Sequence, residues 1–160
     1  MMKQIVIVRK DLGMSIGKAC AQVSHASMAF LTWMIRDHVI GEVYEGTGGG
    51  QKFMEPAYFY RIESFDIGKE LYEQWIDGEF TKVVLQARNK NHLLKAKTMA
   101  EEIGMEEGKD FFLIRDNCHT ELEPEEFDEN GVGRTLTCIG FRPMDSETID
   151  QIGRKYHLYV

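Results

Sequence analysis

Ile5-Val6-Ile7-Val8 is a β-branched run without polar alternation. It leads through Arg9-Lys10-Asp11 and the loop Leu12-Gly13-Met14-Ser15-Ile16-Gly17 into a helical stretch from Lys18 to about His38. A strand that lacks alternation reads as one covered on both faces, and its passage into a long helix reads as the start of a β-α unit. The helix opens on small residues, Ala19, Cys20, Ala21, Ser24, Ala26, Ser27 and Ala29, before the larger Phe30, Leu31, Trp33 and Met34. Its first half is therefore expected to lie close against its neighbour.

The same pattern recurs further along. Lys82-Val83-Val84-Leu85, Phe111-Phe112-Leu113-Ile114 and Thr135 to Gly140 read as strands. Asn89 is an N-cap for a helix running to Ile103 and closed by Gly104. Asp145 or Ser146 caps a last helix with Glu147 in its first turn, and a helix from Ile67 to Ile76 is expected to stop before Gly78. Between Gly41 and Phe65 the pattern fails. Gly46, Gly48, Gly49 and Gly50 predict a flexible tract, Tyr58-Phe59-Tyr60-Arg61-Ile62 a short extra strand, and about 41–70 as a whole reads as an insertion. Alternating strands and helices predict an α/β fold, with a mainly parallel sheet covered on both faces. No internal repeat or linker divides the chain, so 1–160 is read as a single domain.

Composition narrows the functional classes. The chain has 160 residues, 43% hydrophobic and 28% charged, with a net charge of -7. Such a length buries about two-thirds of the unfolded surface without help from disulfides. No apolar run approaches the roughly 18 residues of a membrane helix, and the start is charged too early for a secretory signal. The three cysteines Cys20, Cys118 and Cys138 are far apart and form no CxxC pair, so neither a disulfide framework nor structural zinc is indicated. A reducing, cytoplasmic setting without membrane attachment is expected. The acidity is local: residues 101–130 hold twelve acids and two bases, which leaves the remainder at +3. That weakens the objection an acidic protein raises to nucleic-acid binding.

Two segments leave strand ends where ligands of α/β sheets bind. The first, Gly13-Met14-Ser15-Ile16-Gly17-Lys18-Ala19, has three residues between its glycines and Ala19 after the lysine. A nucleotide-binding P-loop needs four residues there and a Ser or Thr. What remains is a lysine in a first helical turn, where anions and developing negative charge are stabilised. Gln22 and His25 follow at i+4 and i+7 on the same face; either could equally be a structural amide or a core imidazole. The second segment, Leu113-Ile114-Arg115-Asp116-Asn117-Cys118-His119-Thr120, collects an acid, a thiol, an imidazole and a hydroxyl. A Cys118–His119 nucleophilic pair is disfavoured because adjacent side chains diverge. Metal binding by Asp116, Cys118 and His119 is disfavoured because no second ligand group has the right spacing.

A family resemblance enters at these residues. Gly13 to Ala26 is similar to the opening signature of the type 2 peptidyl-tRNA hydrolases, roughly M-G-K-G-K-x-A-A-Q-C-S-H-A. Trp75, Gly78 and Lys82-Val83-Val84 resemble the approach to that family's second strand. Leu113-Ile114-Arg115-Asp116 with Thr120 and Pro124 resembles L-I-R-D-A-G-R-T-x-I-x-P, Thr135 to Gly140 resembles T-V-L-G-I-G-P, and Ile149-Asp150 and Leu158-Tyr159 match the tail. The resemblance covers 1–30 and about 75–160. It implies a three-layer α/β/α domain with a four-stranded mixed sheet that cleaves the ester joining a peptide to the terminal ribose of tRNA. It also implies a homodimer; no cofactor and no metal are expected. The family's active residues map onto Lys18, Asp116, Thr120 and Thr135, with Gln22, His25, Asn117 and His119 as substrate-positioning or supporting groups. The chemistry is coherent: ester hydrolysis needs a positioned water and stabilisation of an oxyanion.

The chain departs from the pattern in three places. Cys118 and His119 replace a glycine and an arginine, Ser15 replaces a lysine, and an acidic stretch runs from Glu121 to Glu129. These changes motivate an alternative, a binding or adaptor domain of the same fold that has lost tRNA hydrolysis. The basic residues left to meet phosphates would be Lys3, Arg9, Lys10, Lys18, Lys82, Arg88, Lys90, Lys95 and Lys97.

Overall fold

The computed structural model describes residues 1–45 and 57–160. The expected glycine tract at Gly46 and Gly48 to Gly50 lies outside the described residues. The elements follow in the order β1 (Met2–Arg9), α1 (Ile16–Asp37), β2 (Val39–Glu45), β3 (Ala57–Ile62), α2 (Lys69–Leu71), β4 (Lys82–Ala87), α3 (Lys90–Glu102), β5 (Phe111–Asp116), β6 (Glu126–Phe127), β7 (Gly133–Phe141), β8 (Met144–Asp145), α4 (Ser146–Gly153) and β9 (His157–Leu158).

The class is α/β and the sheet is mixed, in the order β5-β7-β1-β4-β9, with β6 beside β7 and β8 beside β1. Four strands are long. The two-residue β6, β8 and β9 raise the total to seven, three more than the four expected. Among the long strands β1 and β4 pair in parallel, whereas β7 runs antiparallel to both β1 and β5. The cause lies in the connections. Helix-bearing segments join β1 to β4 and β4 to β5, which lets those strands share a direction. The link from β5 to β7 contains no helix, so the chain turns back beside the strand it has just left.

Helices cover both faces. Ile5 and Ile7 of β1 point to α3 and α4, packing among Leu93, Ala96, Ile149 and Ile152, while Val6 and Val8 point to α1 and meet Ala26 and Cys138. Each fully buried Ile or Leu contributes about 1.5–3 kcal/mol. The close approach expected of the first half of α1 is present: a Cβ added at Gly140 of β7 would lie 2.6 Å from the Ala26 carbonyl oxygen. The caps are also as expected at Asn89 and Asp145, whose side chains accept from the His92 and Glu147 N–H groups. Ser15 caps α1 by accepting from the Lys18 N–H, which starts that helix two residues before Lys18.

The helix expected over 67–76 begins at Lys69 and widens into π-helical turns over Tyr72–Glu79. Gly78 is not its left-handed terminus; Phe80 takes that conformation, with φ 53°. The wide turns seat Trp75, which is buried edge-on against Phe30 at 5.9 Å and donates from Nε1 to the Thr81 carbonyl at 3.1 Å. Strand β3 realises the extra strand expected at 58–62, and pairs with β2 as a separate two-stranded ribbon.

Candidate active site

Strand β1 and the Ser15 cap deliver Lys18 to the end of β5, where Asp116 is the last strand residue. Lys18 Nζ lies 2.6 Å from Asp116 Oδ2 and donates to Thr120 Oγ1 at 3.1 Å. One turn further along α1, Gln22 Nε2 donates to the same Oδ2 at 3.0 Å, while the Cys118 N–H donates to Oδ1 at 2.9 Å. Burial pushes the Asp116 pKa up, but this is outweighed by the hydrogen bonds from Lys18 and Cys118, the Lys18 charge and Gln22, which together hold it below the usual carboxylate value. Asp116 is therefore ionised at neutral pH and is a weak base. Gln22 is itself fixed, because Thr137 Oγ1 donates to its Oε1 at 2.6 Å.

A cleft of about 160 Å³ opens over these groups, lined by Lys18, Gln22, Asp116 and Thr120 and also by His25, Asn117 and His119. Of the eight residues singled out in the sequence, only Thr135 is absent from this lining. Its side chain is fully buried, its hydroxyl donates to the Glu123 carbonyl at 2.6 Å, and its oxygen accepts from the Glu125 N–H at 3.1 Å. Thr135 instead touches the site from behind, through Cys118 Sγ at 3.4 Å. Cys118 adopts φ 57°, which carries the chain sharply from Asp116 towards Thr120. That conformation favours glycine, the residue of the family pattern at this position.

Three acids of the stretch are held by specific partners. Glu121 accepts from both the N–H and the hydroxyl of Ser15 at the start of α1. Glu125 pairs with Arg9, and Glu126 with Lys90 and Arg115. Ser15 and the acidic loop, two of the departures noted in the sequence, are thus partners in one contact that ties the loop to the helix N-terminus.

Residues 2–159 match the family described as peptidyl-tRNA hydrolase PTH2. The chain belongs to this family. The peptidyl-tRNA hydrolase of Methanopyrus kandleri is 32% identical over 152 residues, covering 95% of this chain and 93% of that protein. That of Haloquadratum walsbyi is 29% identical over 158 residues, covering 99% and 100%, and that of Thermoplasma acidophilum 26% over 156 residues, covering 98% and 97%.

Other residues of this peptidyl-tRNA hydrolase family member escaped the sequence reading. Thr137 orients Gln22, and its signal was available: it sits two residues from Thr135, hence on the same face of β7. Several basic residues assigned to phosphates are instead engaged with acids, Lys3 with Asp150, Arg9 with Asp11 and Glu125, Lys90 with Glu126, and Lys97 with Glu101 and Glu107. Among the described residues no helix is long and apolar enough to cross a membrane.

Proposed function

We propose that this protein hydrolyses the ester between a peptide, or an N-acyl-aminoacyl group, and the 3′-terminal ribose of tRNA, using water as the nucleophile. The observation that carries this reading is the convergence of the Lys18 ammonium, the Asp116 carboxylate and the Thr120 hydroxyl within 3.1 Å, at an open cleft. Water attacks the ester carbonyl. Lys18 stabilises the oxyanion that develops on the carbonyl oxygen, acting where it is desolvated enough to count. Asp116, kept ionised, accepts a hydrogen bond from the water and holds it in line. The proton released as the new C–O bond forms passes to the departing ribose oxygen, with the Thr120 hydroxyl as relay. Gln22 and Thr137 keep the carboxylate in place, and Thr135 supports the Cys118 turn and the segment Glu123 to Glu125 from the interior. His25, Asn117 and His119 border the substrate.

On the same reading, residues 1–160 form one domain with an insertion at about 41–70, acting in the cytoplasm as a homodimer without metal or cofactor. The non-catalytic alternative rested on Cys118, His119 and the acidic loop, and none of these closes the cleft. The test is release of labelled N-acyl-amino acid from N-acyl-aminoacyl-tRNA. Lys18→Ala and Asp116→Ala are each expected to lower kcat by about 10²–10³-fold, and chelator to leave turnover unchanged. Unaltered turnover in both variants would refute the mechanism.

A further inference from the structure

The cleft over Lys18 does not end at His25. A larger hollow of about 600 Å³ continues from it between α1 and β5, and the two share His25, Arg115 and Asn117. From His25 to Arg36 the helix side of this groove extends about 16 Å at the α-helical rise. Its other wall is β5, the end strand of the sheet.

The charge of the groove is opposite to that of the chain. Arg36, Arg115 and Arg134 line it, and among the described residues no Asp or Glu does, although the chain has 26 acidic and only 19 basic residues. Arg36 has no ion-pair partner among the described residues. Arg115 and Arg134 face Glu126 at 3.2 Å and Asp128 at 3.9 Å, in pairs more than a third exposed. Such pairs are weak and exchange readily for another anion. An aromatic surface completes the groove: Trp33 is 44% exposed, and its ring is backed by Phe112 at 6.2 Å.

We propose that this groove binds the unpaired 3′-terminal nucleotides of the tRNA, with phosphates on Arg36 and Arg115 and a base stacked on Trp33. The proposal rests on the hydrolase reading, which places the ester at Lys18, where the groove begins. A nascent peptide varies in sequence and has no constant charge. Phosphates and bases at the 3′ end are common to every substrate, and guanidinium groups beside an aromatic face are the elements that bind single-stranded nucleic acid without reading its sequence.

Three substrates test it: N-acyl-aminoacyl-tRNA, a peptidyl-tRNA with a longer peptide, and N-acyl-aminoacyl-adenosine, which lacks the preceding nucleotides. Arg36→Gln removes an exposed side chain and is expected to raise KM for both tRNA substrates about fivefold and to lessen its salt dependence. The adenosine ester should show no such penalty, and Arg36→Lys should restore most of the tRNA affinity. Trp33→Leu is expected to raise KM for tRNA about tenfold. It should also abolish the fluorescence quenching by the trinucleotide CCA, because the other tryptophan, Trp75, is buried. Equal losses on all three substrates, no change on any, or a KM effect confined to the longer peptide would overturn the proposal, the last by assigning the groove to peptide. If the wild-type protein cleaves none of the three, the hydrolase reading fails. Quenching by CCA then decides the groove separately: its presence in the wild type and loss in Trp33→Leu supports nucleotide binding, and its absence rejects it.

Discussion

Arg9 and Lys18 stand at the two ends of the loop between β1 and α1, and each contacts an acid from the segment Asp116 to Glu125. The Arg9 side chain is 3% exposed and makes five hydrogen bonds, two to Asp11, two to Glu125 and one to the Leu136 carbonyl. A guanidinium has five N–H donors, so this cation has none left. The Lys18 side chain is 13% exposed at a cleft and makes two such contacts, to Asp116 and Thr120, with an ammonium that has three donors. The same pairing of cation and carboxylate therefore serves two purposes. At Arg9 every donor is used, two of them on Glu125 of the acidic loop; at Lys18 one N–H is left over, which in the proposed mechanism meets the substrate carbonyl oxygen.

Exchanging the two roles by mutation gives the largest expected effects. Lys18→Ala should lower kcat by about 10²–10³-fold and lower the urea midpoint as well, since Asp116, whose side chain is about 10% exposed, is left with only its bonds from Gln22 and the Cys118 N–H. Arg9→Met should cost about 1–3 kcal/mol in urea unfolding, because it leaves the Leu136 carbonyl and two carboxylates, each about a third exposed, without their donor. Activity per native molecule should survive better than in Lys18→Ala. If Arg9→Met lowers kcat more than Lys18→Ala does, the division of labour is wrong.

A second contrast, between two hydroxyls, sharpens the first. Thr135→Val strands the Glu123 carbonyl and the Glu125 N–H, for a loss of about 1–3 kcal/mol of stability. Thr120→Val leaves the interior intact and should lower kcat about tenfold. Measuring kcat and unfolding on both variants separates them, and a large kcat loss with unaltered stability in Thr135→Val would return that residue to the reacting centre.

The acid side of both clusters predicts a common pH response. Burial raises the Asp116 pKa, but Lys18 and the other donors outweigh it. The Glu125 pKa is held down first by its hydrogen bonds to Arg9, and that of Glu126 by its hydrogen bond to Lys90. A carboxylate whose folded pKa is depressed contributes stability above its unfolded pKa of about 4, and loses it as pH falls through the folded value. The urea midpoint should be insensitive to these groups from pH 7 to about 5 and should drop below about 4, less steeply in Arg9→Met. Ionisation of Asp116 should likewise place no limb in kcat/KM between about pH 5 and 7.

What the sequence disclosed was what is local. The unalternated β1, the caps at Asn89 and Asp145, the small face of α1, and the i+4 and i+7 spacing of Gln22 and His25 each depend on a few neighbouring residues. The placement of β7 beside β1 depends on pairings more than a hundred residues apart, such as Val8 with Cys138, and no local pattern encodes it. The same limit explains the threonines. Thr135 and Thr137 share a face of β7, and only the packing of Gln22 and the Glu123–Glu125 segment decides which hydroxyl faces which partner. It also explains the arginines, because Arg36, Arg115 and Arg134 join one groove only after α1 has been laid along the sheet edge.

The smallest effect concerns the turn between the two acids of the comparison, Asp116 and Glu125. Cys118 at φ 57° occupies a conformation that costs a residue with a Cβ about 1 kcal/mol. Its thiol offsets part of this by contacting Thr135 Oγ1 at 3.4 Å and the Asp116 carbonyl at 3.5 Å. Cys118→Gly removes the strain and the contacts together, and leaves the N–H that donates to Asp116 in place. The net gain should be about 0.5 kcal/mol, a rise of about 1–2 °C in Tm, with kcat retained because the backbone donor and not the thiol serves the carboxylate. If the variant instead melts lower, the thiol is a strut between Thr135 and the Asp116 turn. The interior hydroxyl and the cleft carboxylate would then be one mechanical unit rather than two regions with separate tasks.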